Sequence, residues 1–91
     1  MASLDYSYRL LLINYIILNI KNIKYDDIEP LSISELEDKV KKIVEDLGLY
    51  AIFTAGISLY KTINEESNDV INGISAIIDD FLMLFGIEKE K

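Results

Sequence analysis

Apolar residues occupy nearly every position between Tyr6 and Ile20: Tyr6, Tyr8, Leu10 to Ile13, Tyr15 to Leu18, and Ile20. The density predicts a helix over about 4–22 that is apolar almost all round. Such a helix is central in a bundle or covered by something else. Its polar breaks, Ser7, Asn14 and Lys21, recur every seven residues and so form one narrow stripe.

A different pattern follows. Pro30 disfavours helix at Glu29, so Lys24–Leu31 reads as a connection. Ser32 and Glu35 then stand at N-cap and N3 of a capping box, and Leu31 and Leu36 at N′ and N4 of a hydrophobic staple. A second helix is predicted over 33–47, with Leu36, Val40, Ile43, Val44 and Leu47 on one face. Glu35–Lys39, Glu37–Lys41 and Asp38–Lys42 pair at i, i+4 on the other. Gly48 is placed for a left-handed stop, with Leu49 as its apolar follower.

The third predicted helix, about 50–63, has two unlike sides. Ile52, Phe53, Leu59, Tyr60 and Ile63 share one; Ala51, Thr54, Ala55, Ser58 and Thr62 share the other. The small side lets another helix approach closely, with Thr54, Ser58 and Thr62 bonding across the contact, or is an ordinary exposed face. Gly56 and the β-branched residues leave strand as the alternative. A break at Asn64–Asn68, capped by Asn64 or Ser67, precedes a fourth helix over about 68–85. Val70, Ile74, Ile77, Ile78, Phe81 and Phe85 form its inner stripe. Asn68, Asn72, Ser75 and Asp79 form its wet one, and Gly86 is its stop. The sum is one all-α domain over 1–91, a bundle of four short helices for which up-down is one arrangement.

Composition narrows the chemistry. The chain has 91 residues and is 51% hydrophobic, too apolar for a disordered segment. His, Cys, Trp and Gln are absent. Disulfides, Cys/His zinc sites and Cys- or His-centred catalysis are therefore excluded. Asp79 and Asp80 point about 100° apart on a helix and do not converge on one atom. Asp26, Asp27 and Glu29 lack the spacing of a calcium loop. Glycines 48, 56, 73 and 86 are isolated, so no phosphate-cradling loop exists. No enzyme activity, catalytic residue, cofactor or metal is expected.

The formal net charge is −7. Between Thr62 and Glu88 there is no basic residue and six acidic ones, which argues against nucleic-acid binding. The longest uncharged run, Leu47–Tyr60, has 14 residues, short of the roughly 20 that span a bilayer. No signal peptide is read, so a soluble cytoplasmic chain is expected. Abundant Ile, Glu and Lys without Gln or Cys lean towards a thermophile, archaeal in type.

One anomaly remains. Phe81, Leu82, Met83, Leu84 and Phe85 are apolar all round, and Met83 and Leu84 lie one turn beyond Asp79 and Asp80. An apolar patch rimmed by acid marks an interaction surface, and Met suits adaptable contacts. The alternative is burial under the N-terminal segment or the Ile87 tail. The expected function is a small acidic interaction module or accessory subunit that docks on a protein partner, or on itself, through Phe81–Phe85 and the first helix.

The outline over residues 4–86, with four amphipathic helices, strong acidity and high apolar content, resembles saposin-like proteins. The resemblance implies a saposin-like arrangement and lipid binding through opening of a helical leaf, promoted as carboxylates protonate. That family carries a disulfide framework and usually a glycosylation signal; this chain has neither.

Overall fold

The computed structural model describes residues 2–65 and 77–86, and all the secondary structure among them is helical. Helix α1 (Ala2–Asn19) is its axis. Six successive residues, Leu11 to Ile16, are buried. At 3.6 residues per turn they point in every direction, so the middle of α1 is sheathed on all sides, while Tyr6 and Leu18 nearer its ends are exposed. Its most extensive neighbour is α4 (Tyr50–Glu65), followed by α3 (Ile33–Leu47) and the single turn α2 (Tyr25–Ile28). A further helical stretch, α5 (77–83), is fastened to α1 by ring contacts. The Cα radius of gyration is 12.4 Å, close to the ~12 Å of a compact chain of this length.

Helix α1 ends three residues before the expected boundary. Asn22 takes φ +68°, a left-handed conformation that Asn tolerates better than most residues. The connection after it is not all loop, as the sequence reading has it. Its middle is α2, started by the Lys24 N–H donating to Asp27 Oδ2 at 3.0 Å and anchored by fully buried Ile28. Arg9 Nη2 donates to the carbonyls of Glu29 and Leu31, on either side of Pro30. The chain's one arginine thereby ties α1 to the corner that starts α3.

Helix α3 begins and ends as its sequence predicts. The Glu35 N–H donates to Ser32 Oγ at 3.2 Å, and the Ser32 N–H to Glu35 Oε1 at 3.0 Å. Leu36, Val40 and Ile43 are buried; Leu31, Val44 and Leu47 pack against them. Gly48 stops the helix with φ +58° and ψ −124°. The positive φ is the expected one, but the ψ is not that of a left-handed helix. Leu49 does not fold back onto α3 and is 90% exposed.

Helix α4 continues to Glu65, two residues into the expected break, so Asn64 is a helical residue rather than a cap. Ser67, Asn68, Val70, Asn72, Ile74 and Ser75 lie outside the described residues. The described part of the fourth predicted helix is α5, followed by a turn to Gly86 at φ +72°. Ile77 and Phe81 are buried, as their stripe requires; Ile78 and Phe85 are half-buried.

Candidate functional site

The inward face of α4 is its small one. Ala51, Ala55, Ser58 and Thr62, at i, i+4, i+7 and i+11, are buried. They meet the polar stripe of α1, of which Ser7 and Asn14 are buried and Lys21 is exposed. Asn14 Nδ2 donates to Thr62 Oγ1 at 3.0 Å, and the Tyr15 hydroxyl to the Ala51 carbonyl at 3.1 Å. The Thr62 hydroxyl donates to the Ser58 carbonyl at 2.8 Å, and Ser58 Oγ lies 3.1 Å from the Ala55 carbonyl. These back-bonds let hydroxyls enter a dry contact without stranded donors. Among the described residues, no buried side-chain nitrogen or oxygen lacks a partner. Of the two sequence readings of this face, close helix approach is the one realised.

The consequence appears on the other side of α4. Tyr50 is 71% exposed, Phe53 65% and Tyr60 70%, and Ile52 and Ile57 are exposed with them. Leu49 extends the patch at the α3–α4 turn. No charged residue occurs between Tyr50 and Tyr60. Scattered exposed apolar residues are ordinary, whereas a contiguous patch of this kind marks a contact surface. Gly56 lies on the same side, exposed, and a Cβ built there meets nothing within 4 Å. Glycine inside an exposed helix costs about 1 kcal/mol relative to alanine, and no packing among the described residues requires it.

The Phe81–Phe85 segment is placed differently from the sequence expectation. Phe81 is core. Its ring meets Tyr15 edge-on at 5.5 Å and Phe85 at 5.1 Å, and Phe85 meets Tyr15 at 5.7 Å. Leu82, Leu84 and Phe85 are half-buried, and Met83 alone of the five is exposed. The alternative weighed for this segment, burial against the N-terminal helix, describes Phe81 and Phe85. An all-round apolar run is therefore mostly packing, with Met83 left outside.

Beside Met83 lies a shallow cleft lined by Glu37, Lys41, Asp80 and Leu84. Tyr8 stands behind it and donates its hydroxyl to Glu37 Oε2 at 2.5 Å. Burial, the bond to Glu37 and the negative charges of Glu37 and Asp80 all push the Tyr8 phenol far above its ordinary range. A phenol held neutral in this way is a structural donor. Burial likewise raises Tyr15. Of the three N-terminal tyrosines only Tyr6 is exposed.

The acidic residues of the first connection fall on and beside α2, where Asp27 caps the turn. Among the described residues, no group of three or more His, Cys, Asp or Glu could hold a metal ion. No described helix is long and apolar enough to cross a membrane.

The outward residues of α4 are the functional candidates that the sequence reading passed over. Their signal is the 14-residue uncharged run together with the large side of the third predicted helix, Ile52, Phe53 and Tyr60. The fold and site together define an all-helical protein with one helix packed by its small face and exposed on its large one. No protein-family model matches the chain, and neither does any curated protein or solved structure.

Proposed function

We propose that this chain is a non-enzymatic helical interaction module that docks on a protein partner through an apolar helical surface. The observation that carries the reading is the outward face of α4, with Tyr50, Phe53 and Tyr60 each about two-thirds exposed on a stretch without charge. Aromatic anchors of this type dominate binding energy when a partner covers them. Met83, exposed beside Asp80, adds a second point of contact, reduced from the five-residue surface expected at Phe81–Phe85.

The test is a double substitution, Phe53→Lys with Tyr60→Lys. Neither side chain is buried, so the helical circular dichroism and melting curve are expected to persist. Association with the partner is expected to disappear. Association at wild-type strength in a folded double variant removes the face from the proposal. Met83→Lys is expected to weaken association less.

Lipid is the second reading, kept because the same uncharged aromatic face would suit an apolar surface. It carries the saposin-like arrangement with it. It predicts flotation with vesicles that increases as pH falls and carboxylates lose charge. Absence of flotation at both acidic and neutral pH eliminates it.

A further inference from the structure

The outward face of α4 has a gap at its centre. Ile52, Phe53 and Tyr60 stand one turn from Gly56, at i−4, i−3 and i+4, and surround a position with no side chain. We propose that the occupant of this face is a second copy of the chain, with the two α4 helices antiparallel about a two-fold axis at Gly56. The inference rests on the docking reading and names its partner.

Extent is the first argument. Taking about 200 Å² for an aromatic side chain and somewhat less for Leu or Ile, the apolar residues from Leu49 to Tyr60 expose roughly 700 Å² at their observed exposures. A standard interface takes about 800 Å² from each partner. One helix face, with its polar margins, therefore suffices for a symmetric pair.

Charge is the second. Exposed Glu45 and Asp46 precede the N-terminal end of α4, and exposed Lys61 stands near its C-terminal end. Tyr50 and Lys61 are about 16 Å apart along the axis at 1.5 Å per residue, and their midpoint falls at Ala55–Gly56. An antiparallel crossing there sets each Lys61 opposite Tyr50 of the other copy, at the end of α4 that follows Glu45 and Asp46 of α3. A parallel crossing sets like beside like. The face is thus complementary to itself in the sense an isologous contact requires.

The gap is the third. With no Cβ at the crossing point, the two backbones come close there, and the large side chains that flank Gly56 in each copy pack alongside the crossing. Ridges then pack into grooves, as between helices within a chain.

Sedimentation of the full chain over a wide concentration range tests this. The wild type is expected to pass from monomer to dimer mass. Phe53→Glu, with unchanged circular dichroism, is expected to stay monomeric. Gly56→Ile fills the gap and is expected to raise the dimer Kd at least about tenfold, a typical loss at the centre of an interface. Lys61→Glu weakens self-association, and mixing it with a Glu45→Lys, Asp46→Lys variant restores a mixed dimer. A wild type that is monomeric at every concentration overturns the dimer. So does self-association indifferent to Phe53→Glu and Gly56→Ile. If that monomer binds another protein stoichiometrically, and Phe53→Glu abolishes the binding, the docking reading survives without the dimer. If it floats on phosphatidylcholine vesicles in a Phe53-dependent way, the face belongs to lipid. If Phe53→Glu changes neither mass nor any binding, both readings fall.

Discussion

Helices α3 and α4 are joined by the Gly48 turn and are almost equal in length, 15 and 16 residues. They spend their apolar residues in opposite ways. Helix α3 buries Leu36, Val40 and Ile43 and exposes its charges, the ordinary amphipathic arrangement. Helix α4 buries alanines and hydroxyls and exposes Phe53, Tyr50 and Tyr60. The difference follows from the third helix involved. Both pack on α1, but α4 meets the stripe of α1 that carries Ser7 and Asn14. Small residues facing that stripe allow a close approach, and the distance between helix axes follows the side chains at the contact. The apolar moment of a helix therefore identifies a face that avoids water, and whether the same chain covers it is a separate matter.

The largest expected difference between the two helices is in truncation. Leu36→Ala removes a fully buried side chain and is expected to cost about 2–5 kcal/mol. Phe53→Ala removes an exposed one and is expected to change monomer stability by no more than about 0.5 kcal/mol. Denaturant unfolding at low protein concentration compares them. Equal costs would mean that the outward face of α4 is covered within the chain.

Reversing the chemistry of the inward face sharpens the contrast. Ser58→Leu makes α4 more conventional on paper, yet at a close contact it overpacks and is expected to destabilise by about 1–3 kcal/mol. Thr62→Val takes one acceptor from Asn14 Nδ2 and is expected to cost about 0.5–1.5 kcal/mol, the net worth of a typical buried hydrogen bond. Stabilisation by Ser58→Leu in the same unfolding assay would contradict the close packing of α1 and α4.

How far these features were legible depended on whether they are local. The start of α3 is written in Ser32 and Glu35, three residues apart, and its end in Gly48; no distant part of the chain has to be known. The central place of α1 was legible because an all-round apolar helix has few other places to go. The two sides of α4 were also legible. Which side faces inward was not, because it depends on Asn14 and Tyr15, some 40 residues earlier along the chain. At Phe81–Phe85 the inner stripe was legible in the spacing, and the residue it packs against was not, for the same reason. Nothing near Phe81 in sequence announces that Tyr15 supplies a wall for its ring. The turn α2 was missed because the helix-breaking effect of Pro30 was extended back over Tyr25–Ile28, which precede it.

The smallest effects belong to the local signals of α3. Ser32→Ala removes the side-chain acceptor for the Glu35 N–H and is expected to cost about 1 kcal/mol. The reciprocal bond adds a pH dependence. Hydrogen bonds from the Ser32 backbone and side chain hold the Glu35 carboxyl below its usual range, with Lys39 helping. The folded value is thus lower than the unfolded one, so the unfolded chain takes up this proton first as pH falls. The contribution is present above the ordinary carboxylate range, about pH 4, and is lost as pH drops through the folded value. Glu35→Gln keeps a neutral acceptor and removes the titration. The stability gap between wild type and Glu35→Gln is therefore expected to be largest near neutral pH and to close in acid. A gap that stays constant from neutral pH into acid would mean that the box stabilises α3 through geometry alone. The start of α3 would then resemble the Asn14–Thr62 bond between α1 and α4, which joins two groups that do not titrate.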